Sequence, residues 1–318
     1  MTAQNNILGI HHVTAIAGDP QANIDFYVKV LGLRLVKKTV NFDDPFTYHF
    51  YFGDEVGSPG TLLTFFPWSS QAHRGKIGSG QLSVFSFAVP ENSLRFWSDR
   101  LQRLGIPTSR SIRFGEEVLT AFDQDRFQFE LIAARDVRSG WQSGVVSSEF
   151  AIRGFHGVTL LEIAENPTAD FLQARLAFRT AGIEGNRWRF ENGSGGSGTI
   201  VDVLCEPNTP RGFLGVGTVH HIAFRTETSA SQMIVRQDLV RNGTEVTPVI
   251  DRNYFQSIYF REPGGVLFEV ATDPPGFLID EPKDELGTHL KLPSQYENIR
   301  SEIERTIPPV HIPLFKKS

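Results

Sequence analysis

Nine histidines occur in this chain of 318 residues, and four of them form two adjacent pairs, His11-His12 and His220-His221. Neutral imidazole is the commonest protein ligand for a transition metal. Both pairs sit in short β-prone runs, Ile10-His11-His12-Val13-Thr14 and Val219-His220-His221-Ile222-Ala223. Successive strand residues point to opposite faces, so one imidazole of each pair is expected to face a site. In the second run Ile222 and Phe224 share parity with His220 and suit packing beneath a helix. The other face then carries His221, Ala223 and Arg225, and the matching face of the first run carries His12 and Thr14. A carboxylate completes the set. Glu269 lies one helix and a return hairpin beyond His221, at the end of Tyr259-Phe260-Arg261-Glu262-Pro263-Gly264-Gly265-Val266-Leu267-Phe268-Glu269. Two imidazoles and one carboxylate on one side of a metal form a facial triad, which leaves positions for a substrate and O2. That donor set suits non-haem Fe(II), with Mn(II) also compatible.

The elements that must position these residues form an internal repeat. The first run recurs as Phe155-His156-Gly157-Val158-Thr159 and as the His220-His221 run; Gln81 to Val89 is an apolar strand in the same role. Each run precedes a helical pattern, at 20–31, 90–104, 168–181 and 229–241, with apolar residues three and four apart where the face is clearest. Gly32, Gly105, Gly182 and Gly243 follow, where left-handed C-caps are expected. Several short strands come after each helix. The chain therefore reads as four βαβββ units, 7–67, 80–136, 153–208 and 217–273, of the α+β class with helices on one face of cupped mixed sheets. Consecutive units are expected to pair, giving domains at 1–140 and 150–275 around a Gly- and Ser-rich linker at 137–148. A tail at 276–318 holds one more helix, 294–306, with Ser294 as its N-cap and Glu297 at N3. The first His position is shared by His11, His156 and His220, which suggests a supporting role. The second is His12, Gly157 and His221, as for a site kept in two units and lost in a third. Glu130 and His156 read as a vestige of such a site.

Composition excludes other classes. The net charge of -5 argues against a generally basic nucleic-acid binder. The single cysteine, Cys205, permits no intrachain disulfide and reads as a buried thiol. No apolar run approaches a membrane span and the N-terminus carries no secretory signal, so a cytoplasmic enzyme is expected, and a homo-oligomer is compatible. The Gly193-Ser194-Gly195-Gly196-Ser197-Gly198 run lacks the Gly-Lys-Ser/Thr of a phosphate loop and reads as a hairpin. The 26 phenylalanines fill cores, with Phe255 and Phe260 placed to wall an aromatic pocket.

The chain resembles the vicinal oxygen chelate superfamily, and within it the hydroquinone ring-cleaving dioxygenases. The resemblance spans nearly the whole chain. It rests on the two His-His runs, on Asp25-Phe26-Tyr27-Val28-Lys29-Val30-Leu31-Gly32, and on Tyr48-His49-Phe50-Tyr51-Phe52 with Gly57-Ser58-Pro59-Gly60-Thr61. Arg153-Gly154-Phe155-His156, Ser197-Gly198-Thr199-Ile200-Val201-Asp202, Asp251-Arg252 and the Tyr259 to Glu269 hairpin complete it. By that resemblance His12, His221 and Glu269 bind Fe(II), and His11, Thr14, His220, Arg252 and Tyr259 stand around it. The implied reaction is ring cleavage of an aromatic diol, a substituted hydroquinone, with O2. The segment before Arg252 is shorter here, which places the difference in substrate preference. Two other readings are a glyoxalase-like isomerase or thiol transferase of the same fold, and a metal-free protein that binds an aromatic or quinone.

Overall fold

Each of the four repeats folds as a strand, a helix and three further strands. The computed structural model describes residues 6–313. The first unit contains β1 (Ile10–Ala17), α1 (Pro20–Ile24), β2 (Arg34–Asn41), β3 (Asp44–Gly53) and β4 (Leu62–Pro67). The second contains β5 (Gln81–Val89), α2 (Leu94–Arg103), β6 (Ser109–Arg113), β7 (Glu116–Phe122) and β8 (Gln128–Ala133). The third contains β9 (Gly154–Glu162), α3 (Asn166–Leu176), β10 (Arg179–Glu184), β11 (Arg187–Glu191) and β12 (Ile200–Cys205). The fourth contains β13 (Thr218–Thr226), α4 (Ser229–Arg241), β14 (Ile250–Asp251), β15 (Phe255–Arg261) and β16 (Leu267–Pro275).

Local chemistry explains the helix ends. Asp19 caps α1 by accepting from the Ala22 N–H at 2.8 Å, and Pro20 stands at the first helical position. The chain then widens into a π-helical turn, Asp25–Val30, and stops at Gly32 with φ 71°. Gly105 and Gly243 also take left-handed conformations, but Gly182 does not. There Ala177 supplies the left-handed cap with φ 55°, α3 ends earlier than expected, and Gly182 lies within β10.

The α+β class with curled mixed sheets holds, but the partners within each sheet differ from the consecutive pairing expected. One sheet runs β14-β15-β16-β13-β1-β4-β3-β2, and the other β10-β11-β12-β9-β5-β8-β7-β6. The first unit is thus paired with the fourth, and the second with the third. All four units present similar first strands, so repeat similarity alone leaves their pairing open. It is decided by side-chain contacts along β1–β13 and β5–β9 and by the connectors. The connectors between units one and two and between units three and four run side by side, bridging at Arg74–Val216, Lys76–Phe213 and Ser79–Arg211. Backbone contact is close here: a Cβ on Gly215 would lie 2.4 Å from the Gly75 nitrogen.

Helices cover the convex faces over a phenylalanine-rich core that includes Phe50, Phe52, Phe65, Phe85, Phe87, Phe129 and Phe155. Each such ring contributes roughly 1.5–3 kcal/mol on burial. A second, smaller cluster fills the inner side of the first sheet: Val36, Tyr51, Ala223, Tyr254, Phe255 and Ala271 meet Phe277 from the tail. The tail helix begins as a 3-10 turn, Ser294–Ile299, and continues as α5 (Arg300–Thr306). Ser294 does not cap it, because Pro293 occupies that position and Glu297 is held by Arg300 at 2.7 and 2.8 Å. Among the described residues no helix is long and apolar enough to cross a membrane.

Candidate metal centre and its pocket

β1 and β13 are antiparallel neighbours at the middle of the first sheet, with His12 opposite Ala223 and Thr14 opposite His221. β16 lies on the far side of β13, with Glu269 beside Ala223. This register brings His12, His221 and Glu269 together on the inner face. His12 Nε2 lies 3.3 Å from His221 Nε2, and Glu269 Oε2 lies 3.2 and 2.9 Å from those nitrogens. Donors on adjacent corners of an octahedron with bonds of about 2.1 Å stand about 3.0 Å apart, so the three atoms have the spacing of one octahedral face. All three residues are buried, and Glu269 Oε2 has no hydrogen-bond partner. A buried carboxylate oxygen aimed between two imidazole nitrogens is a donor arrangement that a cation would satisfy. Glu269 Oε1 is held by the Ser257 hydroxyl. Burial alone would raise the Glu269 carboxyl, but the His12 and His221 imidazoles bring it well below the usual carboxylate range.

The strand parity expected for His12 and His221 agrees with their placement on this inner face, but it does not describe their neighbours. The β1–β13 register shifts after Ile10 and again after Thr14, so His11 and His220 are each the extra residue of a β-bulge. A bulge re-aims its side chain. His11 Nδ1 lies 2.9 Å from His12 Nδ1, and His220 Nδ1 lies 2.8 Å from His221 Nδ1. Were Nε2 of His12 and of His221 to bind a cation, Nδ1 of each would carry the proton and donate a hydrogen bond to the neighbouring histidine. Burial, reinforced by the adjacent imidazole, keeps both neighbours neutral: His11 falls well below its ordinary value and His220 falls to about 3.

Above the donor triangle lies a cavity of about 210 Å³. His12, His220, His221, Arg252 and Tyr259 line it together with Phe255. The Arg252 Nε–H donates to the Tyr259 hydroxyl at 3.1 Å, and Arg252 Nη1 lies 3.2 Å from Asp43. Thr14 is buried beside the cavity, and its hydroxyl lies 2.8 Å from Thr64 Oγ1. Of the two phenylalanines expected to wall a pocket, Phe255 does so, its ring 5.1 Å from that of His12. Phe260 turns into the core against Phe171 and Phe268.

Sequence reasoning missed His49, Tyr51, Phe66 and Trp68, which line the same cavity, and Asn41, Phe42 and Asp43 at the β2–β3 turn. His49 Nε2 lies 2.9 Å from Thr64 Oγ1, and its Nδ1 lies 2.9 Å from the Tyr51 hydroxyl. Burial lowers the His49 imidazole well below its ordinary value, with His12 adding to the effect. The available clue was parity: His49 and Tyr51 share a face of β3.

The second sheet shows the same register without the site. Val84 and Gly157 occupy the places of His12 and His221, since Val84 faces Thr159 and Ser86 faces Gly157. A Cβ on Gly157 would lie 2.9 Å from Ile200 Cβ, so the sheet leaves no room for a ligand there. The neighbouring carboxylates are neutralised by guanidinium groups. Arg113 contacts Glu130 at 3.0 and 2.5 Å, and Arg189 contacts Asp202 at 2.9 and 3.2 Å. His156 is directed instead to Glu116 at 3.1 Å and to the Ser197 hydroxyl at 3.0 Å.

Residues 9–131 and 124–270 match the family described as Glyoxalase/Bleomycin resistance protein/Dioxygenase superfamily. The chain belongs to this superfamily. It is 46% identical over 306 residues to a Bacillus subtilis (strain 168) protein provisionally named ring-cleaving dioxygenase MhqO, covering 96% of this chain and 97% of that one. It is 36% identical over 316 residues to the chlorohydroquinone/hydroquinone 1,2-dioxygenase of Sphingobium indicum, covering 96% and 98%. A crystal structure of a provisionally named dioxygenase from Bacillus subtilis superposes with a TM-score of 0.94 at 45% identity, over 98% of this chain and 99% of that one. Glyoxalase I from Zea mays shares the fold at a TM-score of 0.62 and 14% identity, over 83% and 92%. The chain is thus a superfamily member whose near relatives carry ring-cleaving dioxygenase names.

Proposed function

We propose that this superfamily member is an Fe(II)-dependent ring-cleaving dioxygenase that opens a substituted hydroquinone with O2. The observation that carries the reading is the buried triangle of His12 Nε2, His221 Nε2 and Glu269 Oε2 at the base of an aromatic-walled cavity. The names of the relatives support the same reading. Iron held by these residues would supply a Lewis acid for a ring hydroxyl and a redox route between ring and O2. Both oxygen atoms enter the product as a ring C–C bond breaks, so no external reductant is required.

The chain's own residues do the rest. Phe66, Trp68 and Phe255 give the ring apolar walls. The Tyr259 oxygen already accepts from Arg252 Nε, which leaves the phenol proton free to donate to a substrate oxygen. Arg252 adds a fixed positive charge beside that oxygen and stabilises negative charge on it. His11 and His220 hold the Nδ1 protons of His12 and His221 and so fix both ligand rings. Thr14 steadies the floor through Thr64.

Anaerobic reconstitution with Fe(II) or Mn(II), followed by O2-uptake measurements on hydroquinones and catechols, tests the reading. One metal per chain and O2 uptake matched to ring-opened product are expected with iron. His12→Ala and Glu269→Ala should abolish both metal retention and O2 uptake. An iron-loaded, fully active His12→Ala protein would sink the proposal, as would thiol-dependent turnover without O2 or tight binding of a quinone by the metal-free chain without turnover.

A further inference from the structure

The first sheet has an approximate two-fold axis between β1 and β13. His12 faces Ala223 while Thr14 faces His221, so the axis exchanges His12 with His221 and Thr14 with Ala223. It also carries β16 onto β4 and β15 onto β3. Ala223 pairs with Glu269, and Thr14 pairs with Thr64. Tyr259 pairs with Glu269, and Tyr51 pairs with Thr64. Thr64 therefore stands in the first unit where Glu269 stands in the fourth. Two residues before the paired tyrosines come His49 and Ser257, which occupy equivalent places in turn.

The two halves fill these equivalent places in opposite ways. In the fourth unit a small hydroxyl, Ser257, supports a long carboxylate, Glu269. In the first a large imidazole, His49, bonds to a small hydroxyl, Thr64, at 2.9 Å. We infer that the His49–Thr64 pair is the specificity element that withholds a fourth protein ligand and keeps that side of the metal centre open. Thr64 carries no carboxylate, and its hydroxyl is tied to Thr14 at 2.8 Å as well as to His49. His49 lines the cavity, occupying space beside the centre, and is not itself a ligand. Its two ring nitrogens are engaged by Thr64 and Tyr51. By this reading, the choice between a centre open to substrate and O2 and one closed by four protein ligands rests on two residues absent from the ligand set.

The inference rests on the metal reading above, and its test separates the two. His49→Ser with Thr64→Glu installs in the first unit the pair that the fourth already accommodates, and the space lost at His49 makes room for the longer side chain at residue 64. Metal content and affinity are measured for Fe(II) and Co(II) by chelator competition under argon, with the Co(II) absorption spectrum as a report on coordination. The double variant should bind one metal on the order of tenfold more tightly, because a charged ligand is added. Its Co(II) spectrum should change and its O2 uptake should be lost. Adding the same pair to Glu269→Ala should restore the metal binding which that single change abolishes. A folded double variant with wild-type affinity and cobalt spectrum, or a folded triple variant that stays metal-free, refutes the inference. If circular dichroism shows the double variant unfolded, His49→Ser with Thr64→Gln, which buries no new charge, is judged by the same cobalt spectrum. A wild-type chain that binds neither ion refutes the metal reading and this inference together, whereas wild-type binding with no response to the exchange refutes only the inference.

Discussion

Lys37→Met is a severe test of how the tail is held to the first sheet. Lys37 lies in β2 with its side chain wholly buried, and Nζ bonds to Asp280 Oδ1 at 2.6 Å and to Glu281 Oε2. Asp280 is partly exposed and keeps a second partner, the Tyr254 hydroxyl at 2.9 Å. Glu281 is 2% exposed in its side chain and would retain the N–H groups of Gly287 and His289, both at 3.3 Å, and the exposed His289 imidazole, whose Nδ1 lies 3.7 Å from Oε1. The cost is therefore dominated by one buried carboxylate left without its cation, about 3–5 kcal/mol. That is a large part of a typical total of about 5–15 kcal/mol. Lys37→Met combined with Glu281→Leu removes both buried charges and should recover most of the loss, so the two changes should be strongly non-additive. Urea unfolding of wild type, both single variants and the double variant measures this. The functional consequence passes through Tyr254, whose ring lies 4.7 Å from that of Phe277, and so to neighbouring Phe255 beside His12. KM should rise in the folded fraction of Lys37→Met. A single variant within about 1 kcal/mol of wild type, or a double variant equal to the sum of the singles, would refute the reasoning.

Two other perturbations address separate parts of the molecule. Asp123 accepts from the Tyr27 hydroxyl and from two backbone N–H groups, yet burial pushes its carboxyl up to about 7. Unfolded, the same group titrates near roughly 3.9, so the folded chain holds a proton that the unfolded chain releases. This group is neutral for stability below about pH 4 and increasingly destabilising up to about pH 7, after which its effect levels off. Asp123→Asn should flatten that part of the pH–stability curve, and an unchanged slope in thermal melts between pH 4.5 and 7.5 would count against it. Tyr259→Phe removes the proposed donor to substrate while sparing the ligands. Metal content should stay at the wild-type level while kcat/KM falls about tenfold to a hundredfold, as for one hydrogen bond of about 1.5–3 kcal/mol to a charged group.

The sequence by itself determined what depends on local pattern. Apolar spacing and glycine stops located the four helices, and repeated strand runs located the units. Parity along β1 and β13 chose His12 and His221, while the hairpin brought Glu269 into the set. Each inference needs only the periodicity of one element and comparison among copies. Tertiary structure decided what those copies cannot distinguish. Four similar first strands can pair in several ways, and only packing joined the first unit to the fourth, placing His12 and His221 in one sheet. The β-bulges at His11 and His220 arise from that pairing, so strict alternation could not anticipate that each imidazole would turn toward its neighbour. Gly182 carried the mark of a helix stop, but Ala177 reached the left-handed conformation first and α3 ended there. His49 and Thr64 are unremarkable as sequence, because their meaning lies in standing where Ser257 and Glu269 stand across a two-fold axis that exists only after the sheet has formed.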